Sequence, residues 1–327
     1  MTERLYVVPG ELLPPRGGDR RHLISVRDLE REDVERLLAT AHSFALSQER
    51  DTKKLPTLRG RLVVNMFFES STRTSSSFEL AAKRLSADTM SMKASGSSVD
   101  KGESLKDTAL TLSAYDPDVI VIRHPQIGAP QLVAAVTEAH VVNAGDGKHQ
   151  HPTQALLDLY TIQASLGRLD GVSVAIVGDV LHSRVARSLI QALELVGANV
   201  LLVGPPPLLP AELGETSFEI ASIADADIVY VLRMQRERME EGANYVPSLR
   251  EYSARWCVTP ERLRPGQKVM HPGPMNRGVE IDARVADSPA ALIVDQVRAG
   301  LVVRMAVLYD LLTTGPVAVE AVVGGVA

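Results

Sequence analysis

A single cysteine, Cys257, stands in 327 residues. It has no partner for an internal disulfide and cannot build a Cys-rich zinc site, so a reducing compartment is expected. A basic surplus is missing as well. The chain carries 35 Lys and Arg against 40 Asp and Glu, a net charge of −5, where a nucleic-acid binder shows an excess of positive charge. No apolar run is long enough for a bilayer. The longest candidate, Pro316 to Ala327, is too short and contains Glu320. The first residues hold Glu3, Arg4, Pro9, Pro14 and Pro15, where a secretory signal needs an unbroken apolar core. These absences give the expectation of a cytoplasmic protein with no membrane and no nucleic-acid partner. Internal repeats and extended low-complexity segments are also missing, and 23 Gly and 19 Pro are ordinary numbers that exclude a collagenous or broadly disordered chain.

What is present reads as a globular chain of two domains. Its length is more than twice a modal domain of about 150 residues, and 45% apolar with 23% charged residues is an ordinary composition. Residues 1–20 are a Pro-, Gly- and Arg-rich arm. A helix follows, capped by Ser25 or Asp28, with Leu29, Val34, Leu37, Leu38 and Ala41 at helical spacing. Short apolar runs predict buried strands at Arg61–Phe68, Val119–Ile122, Val172–Val177, Asn199–Val203, Asp227–Leu232 and Lys268–Met270. Helices are predicted after Ser70–Ser77, with Phe78, Ala82 and Leu85 on one face, from His151-Pro152, and over Arg184–Val196. A long last helix, Pro289–Leu312, is interrupted at Gly300. Strands alternating with helices predict an α/β fold: two domains, each a mostly parallel sheet flanked by helices, with the active site in the cleft between them. The junction falls near residue 151.

Ligands of open parallel sheets bind beyond the carboxyl ends of the strands. Five predicted strand ends carry polar clusters: Glu69–Thr74, Arg123-His124, Asp179–Arg184, Arg233–Gln235 and His271–Pro274. Together they suggest one cleft lined by both domains. At Ser71-Thr72-Arg73-Thr74, three hydroxyls and a guanidinium meet a helix N-terminus, whose free N–H groups and partial positive charge suit a phosphate dianion. A Ser/Thr cap beside a surface Arg is the alternative. Arg184 and Arg233 at two strand ends suit a dicarboxylate, because the guanidinium fork matches a carboxylate; structural ion pairs are the alternative. Ser95–Lys106 reads either as a solvated linker or as a loop delivering Ser97 and Lys101 to an anion. His149-Gln150-His151 with Asp146 lacks a third well-placed metal ligand. His151 and Gln154, at a helix start, read better as side chains aimed into the cleft. Val177-Gly178-Asp179 hints at a dinucleotide turn, but the G-x-G-x-x-G pattern is absent.

Phe68-Glu69-Ser70-Ser71-Thr72-Arg73-Thr74, the run Lys101 to Thr108, Arg123-His124-Pro125, the run His151 to Asp158, Arg233-Met234-Gln235 and His271-Pro272-Gly273-Pro274 resemble, in order, the motifs of the aspartate/ornithine carbamoyltransferases. The resemblance covers roughly residues 20–313. Its branch resembles the aspartate enzymes: the late motif is His271-Pro272-Gly273-Pro274 rather than His-Cys-Leu-Pro, and the Lys101-Gly102-Glu103 loop is present. In one place the chain departs from the family, with Ser75 where an Arg usually follows Ser-Thr-Arg-Thr.

The resemblance implies transfer of the carbamoyl group of carbamoyl phosphate to the amine of L-aspartate, in de novo pyrimidine biosynthesis. The alternative is another amine such as ornithine, for which carboxylates rather than Arg233 and Gln235 would be expected. It implies that Ser71, Thr72, Arg73 and Thr74 hold the phosphate, that Thr74, Arg123 and His151 point at the carbamoyl oxygen, and that Gln154 with the carbonyls of Pro272 and Gly273 accepts from the carbamoyl NH2. Arg184, Arg233 and Gln235 would hold the aspartate carboxylates, Lys101 would contact both ligands, and Asp179 would orient neighbouring basic groups. No metal or cofactor is implied. Residues 1–151, completed by a C-terminal helix of about 299–327, would bind carbamoyl phosphate, and residues 152–298 aspartate. The implied assembly is a homotrimer in which Ser97 and Lys101 reach the neighbouring subunit's site, with a regulatory chain or dihydroorotase as further partners.

Overall fold

The computed structural model describes residues 22–93, 102–235 and 248–313. Ser97, Lys101, the N-terminal arm and the segment after residue 313 lie outside the described residues. The described strands form two sheets. The first contains β1 (Leu62–Phe67), β2 (Asp88–Lys93), β3 (Val119–His124) and β4 (His140–Asp146), in the order β2-β1-β3-β4. The second contains β5 (Ser173–Val177), β6 (Asn199–Val203), β7 (Glu215–Ser217), β8 (Ile228–Val231) and β9 (Lys268–Met270), in the order β7-β6-β5-β8-β9. Every ladder is parallel. The connecting helices are α1 (Arg31–Gln48), α2 (Thr72–Arg84), α3 (Leu105–Ser113), α4 (Ala129–Val136), α5 (Pro152–Leu166), α6 (Arg184–Leu195), α7 (Leu249–Trp256), α8 (Ala283–Ala286) and α9 (Ile293–Leu312).

Period-2 side-chain alternation explains why the central strands are apolar throughout. Val63, Phe67, Val119 and Val121 face one core, whereas Val64, Met66, Ile120 and Ile122 face another beneath α3 and α4. In the second sheet, Val174, Ile176, Ile228 and Tyr230 turn to the same first core, and Ala175, Val177, Val229 and Val231 turn away from it. The shared core is filled by residues of α1, α2, α5, α6 and α9, among them Phe44, Phe78, Leu156, Leu189 and Leu308. Burying one such side chain stabilises by roughly 1.5–3 kcal/mol. The two sheets are thus joined by a helical layer, and their carboxyl ends open onto one cleft.

Several elements differ from the sequence reading. Ser25 and Asp28 form a capping box, but around the short turn Val26–Asp28; α1 starts at Arg31. The hydroxyl-rich turn is not separate from its helix, since α2 begins at Thr72. Strands β2, β4 and β7 and helices α3, α4, α7 and α8 are additional. β2 is a partly exposed edge strand, so it lacks the apolar run of a buried one. β4 runs through Asn143, which interrupts its apolar pattern; the buried amide donates to the Ile24 carbonyl and Asp146 and accepts from the Gly145 N–H. These bonds replace what water would have supplied. Gly300 does not interrupt α9: a Cβ there would stand 2.7 Å from Arg304 Nη1, so the glycine makes room for a buried guanidinium.

Candidate active site

The five polar strand ends meet. A cleft of ≈ 380 Å³ is lined by all twelve expected site residues that fall among the described ones. Ser71, Thr72, Arg73 and Thr74 come from the α2 N-terminus, Arg123 from the end of β3, and His151 and Gln154 from the start of α5. Arg184 opens α6, Arg233 and Gln235 follow β8, and Pro272 and Gly273 follow β9.

At the α2 N-terminus Ser71 sits at the cap with φ −156° and ψ 92°, and its side chain makes no capping hydrogen bond. First-turn N–H groups have no intrahelical acceptor, so this end presents donors and a partial positive charge to the cleft. Gly273 packs against the Arg73 guanidinium from the opposite wall. Its φ is +65°, and a Cβ would overlap Arg73, which makes the late turn dependent on glycine.

The carboxylate of Glu69 joins the two walls. It accepts from Arg123 Nε at 3.1 Å and from Arg184 Nη2 at 2.5 Å. Arg184 is 3% exposed and also donates to the Gly147 carbonyl. The sequence places Glu69 in the expected cleft-lining cluster Glu69–Thr74 but assigns it no role. Its signal was charge: a single acid in a turn otherwise made of hydroxyls and Arg73.

His151 caps α5. Its N–H donates to Ser188 Oγ at 2.8 Å, and that hydroxyl donates to Gln150 Oε1. Asp146 orders the preceding turn, accepting from the N–H groups of Gly128 and Gln150 and pairing with His149. Asp179 pairs with His182 and accepts from the Gln235 N–H at 3.1 Å, so it fixes the backbone that carries Gln235.

Beneath the cleft lies a buried polar cluster that the sequence reading passed over. The Asp158 carboxylate accepts from Gln154 Nε2 at 3.1 Å, Gln296 Nε2 at 2.7 Å and Tyr230 Oη at 2.7 Å. Burial pushes its pKa up to about 7, against these three hydrogen bonds and the charge of Arg304. Arg304 lines the cleft and donates to Ser77 Oγ and the Gly300 carbonyl. Burial lowers its pKa to about 10, which leaves it charged at neutral pH. Its signal in the sequence was Gly300, four residues back on the same helix face. The His271 ring accepts from the Gly273 N–H at Nδ1 and faces Glu280 through Nε2. Because Nδ1 accepts a backbone N–H, the ring proton sits on Nε2 toward Glu280, and burial lowers the ring's pKa. Among the described residues no group of three His, Cys, Asp or Glu could hold a metal ion, and no helix is long and apolar enough to cross a membrane.

Two parallel sheets whose carboxyl ends face each other, one presenting an anion-binding helix terminus and the other arginines, define a two-substrate group-transfer site. The sequence matches a family model in two blocks: residues 21–164 match the aspartate/ornithine carbamoyltransferase carbamoyl-P binding domain, and residues 170–311 the Asp/Orn binding domain. The chain belongs to the aspartate/ornithine carbamoyltransferase family. It is 55% identical over 303 residues to the aspartate carbamoyltransferase catalytic subunit of Salinispora arenicola, covering 89% of this chain and 98% of that one. It is 56% identical to that of Acidothermus cellulolyticus, covering 90% and 93%. An aspartate transcarbamoylase from Trypanosoma cruzi, solved with carbamoyl phosphate and aspartate, superposes with a TM-score of 0.83 at 31% identity, covering 93% of this chain and 100% of that one. The catalytic subunit of M. jannaschii aspartate transcarbamoylase gives 0.78 at 37% identity, covering 89% and 97%.

Proposed function

We propose that the cleft carries out aspartate carbamoyltransfer with the division of labour that its two walls suggest. The chain is a transferase: it moves the carbamoyl group of carbamoyl phosphate to the amine of L-aspartate, giving N-carbamoyl-L-aspartate and phosphate. The amine attacks the carbonyl carbon, the C–N bond forms, the C–O bond to phosphate breaks, and the amine proton leaves with the phosphate. Ser71, Thr72, Arg73 and Thr74 hold the phosphate on the α2 N-terminus. Thr74, Arg123 and His151 face the carbamoyl oxygen, where charge develops as the amine adds. Gln154 and the Pro272 and Gly273 carbonyls accept from the carbamoyl NH2, and Arg184, Arg233 and Gln235 take the aspartate carboxylates. Much of the rate then comes from positioning the two substrates against each other.

The observation that carries this reading is the single cleft in which the α2 N-terminus with Arg73 and Arg123 faces Arg184 and Arg233. A basic amine such as ornithine would meet cations on the second wall. We extend the reading to residues 1–151 with the C-terminal helix as the carbamoyl phosphate domain, residues 152–298 as the aspartate domain, a cytoplasmic location, and a homotrimer in which Ser97 and Lys101 serve the neighbouring site. The packing of α9 on α1 and α2 supports placing the last helix with the first domain. The test is to incubate the purified chain with carbamoyl phosphate and either L-aspartate or L-ornithine. N-carbamoyl-L-aspartate and phosphate should form with the first and no citrulline with the second; citrulline, or neither product from folded protein, refutes the reading.

A further inference from the structure

Two groups assigned above to the carbamoyl NH2 come from different elements: Gln154 from α5, and the Pro272–Gly273 backbone from the turn after β9. Both lead back to one buried residue. Gln154 Nε2 donates to Asp158 Oδ1, and so does Gln296 Nε2 from α9. The other end of the Gln296 amide, Oε1, accepts from the His271 N–H at 2.9 Å, and the His271 ring in turn accepts from the Gly273 N–H at 2.8 Å. Asp158 and Tyr230 are fully buried, and Gln296 nearly so.

The direction of every bond in this chain is fixed by groups that cannot reverse. A backbone N–H only donates, so Gln296 must turn its oxygen to His271 and its NH2 to Asp158. Asp158 Oδ1 accepts from Gln154 Nε2 beside that Gln296 NH2, so Gln154 also turns its NH2 to Asp158. That leaves the Gln154 oxygen as the atom free to face a ligand in the cleft. In the late turn, the Gly273 N–H is committed to the His271 ring. The Pro272 carbonyl, trans to it across the same planar peptide, therefore points away from that ring. One accepting oxygen at the centre thus produces acceptors at both ends.

We propose that Asp158 is the positioning residue that makes the cleft select a carbamoyl over an acyl group, by orienting Gln154 directly and the Pro272–Gly273 turn through Gln296. The inference rests on the NH2-acceptor roles given under the proposed function. A donor-presenting Gln154 would repel an NH2 group, and the site would lose its reason to prefer carbamoyl phosphate to the isosteric acetyl phosphate, whose methyl neither donates nor accepts. Tyr230 holds the second carboxylate oxygen and keeps the carboxylate plane from turning.

The test compares kcat/KM for carbamoyl phosphate and acetyl phosphate at saturating L-aspartate, with N-carbamoyl- and N-acetyl-L-aspartate as products. Wild type should prefer the carbamoyl substrate strongly. Asp158→Leu should lower that preference by about 10- to 100-fold, the range for one or two lost hydrogen bonds at a polar site, through loss of carbamoyl turnover alone. Asp158→Asn keeps an oxygen toward both glutamines and should hold the preference within about threefold even where it lowers Tm, since Asn accepts at Oδ1 much as Asp does. Gln296→Leu cuts only the branch to the late turn and should lower the preference by about tenfold; it decides the question if Asp158→Leu does not fold. Equal losses with both substrates, an unchanged preference in a folded Leu variant, or an Asn variant as damaged as Leu would each overturn the proposal. A wild type that uses both acyl phosphates equally would overturn the NH2-acceptor assignment itself.

Discussion

Glu69 offers the sharpest single perturbation, because one carboxylate pairs with two arginines on opposite walls. At an effective dielectric of about 20, each contact is worth roughly 5–7 kcal/mol of Coulomb energy before desolvation. Desolvation and the mutual repulsion of the arginines offset most of that. The side-chain exposures, 24% for Glu69, 16% for Arg123 and 3% for Arg184, place the pairs between surface and buried classes. Removing one partner of a buried pair costs about 3–5 kcal/mol, and an exposed pair is worth about 1 kcal/mol or less. Glu69→Ala should therefore destabilise by about 2–4 kcal/mol, mostly because the buried Arg184 guanidinium loses its carboxylate and keeps the Gly147 carbonyl. Glu69→Gln keeps an acceptor oxygen and should cost about half as much. In a thermal scan the Ala variant should melt roughly 5–10 °C lower. Because Arg123 and Arg184 lose their common anchor, kcat should fall by about 10-fold or more through lost orientation, while phosphate should still protect the α2 end. The decisive measurement is a double-mutant cycle between Glu69→Gln and Arg184→Met on stability. A coupling below about 0.5 kcal/mol, the scatter of independent sites, would refute the claim that this carboxylate holds the walls together.

Other variants test separate parts of the site. His151→Ala should lower kcat by roughly 10²–10³ with a smaller change in carbamoyl phosphate binding, as expected for a donor to developing charge; unchanged kcat in folded protein would remove His151 from that role. Arg233→Ala should raise the KM for aspartate steeply and leave phosphate binding intact, and a matched loss for both ligands would contradict the assignment. Gly273→Ala should displace Arg73 and weaken phosphate binding, because a Cβ there has no room, so unaltered phosphate affinity would argue against the close approach. For pH, the folded Asp158 pKa of about 7 lies above the ordinary 3.8, so the folded state binds the extra proton between those values. The stability this group contributes is full below about 4 and is lost as pH rises through 7. Wild type minus Asp158→Asn unfolding free energies should fall across that window and then level off; a rise would reverse the assigned shift. Tyr230, Gln154, Gln296 and Arg304 face this carboxyl.

The buried centre of each sheet was readable because burial on two faces leaves one kind of residue. RLVVNMFF and VIVI become β1 and β3, and Lys268–Met270 becomes β9 with the boundaries expected. The edges were not, because an edge strand is half solvated and borrows its partners. β2 alternates Thr, Met, Ser and Met, a pattern shared with exposed loops. β4 tolerates Asn143 because Asp146 and Ile24, the latter more than a hundred residues away in sequence, both supply acceptors. No local window contains that information. The long last helix shows the same limit from the other side, since Gly300 reads locally as a break and becomes, in the fold, the space that Arg304 needs.

The site divides along a similar line. Residues that would touch ligand stand out in sequence because they are polar where their neighbours are apolar, and they cluster at strand ends: Ser71 to Thr74, Arg123, Arg233 and Gln235 all do so. Residues that orient them do not stand out. Asp158 sits within Leu156-Leu157-Asp158-Leu159 on an apolar helix, and Gln296 lies in the first turn of α9 beside Asp295. What marks them is burial with complete hydrogen bonding: a carboxylate with three donors, and an amide whose two ends bind an acceptor and a donor. Leaving such a group unpaired in the interior costs more than its bonds return. Its presence on a core face therefore means that something nearby must be held in one orientation, and here the groups held are Gln154 and the turn after β9.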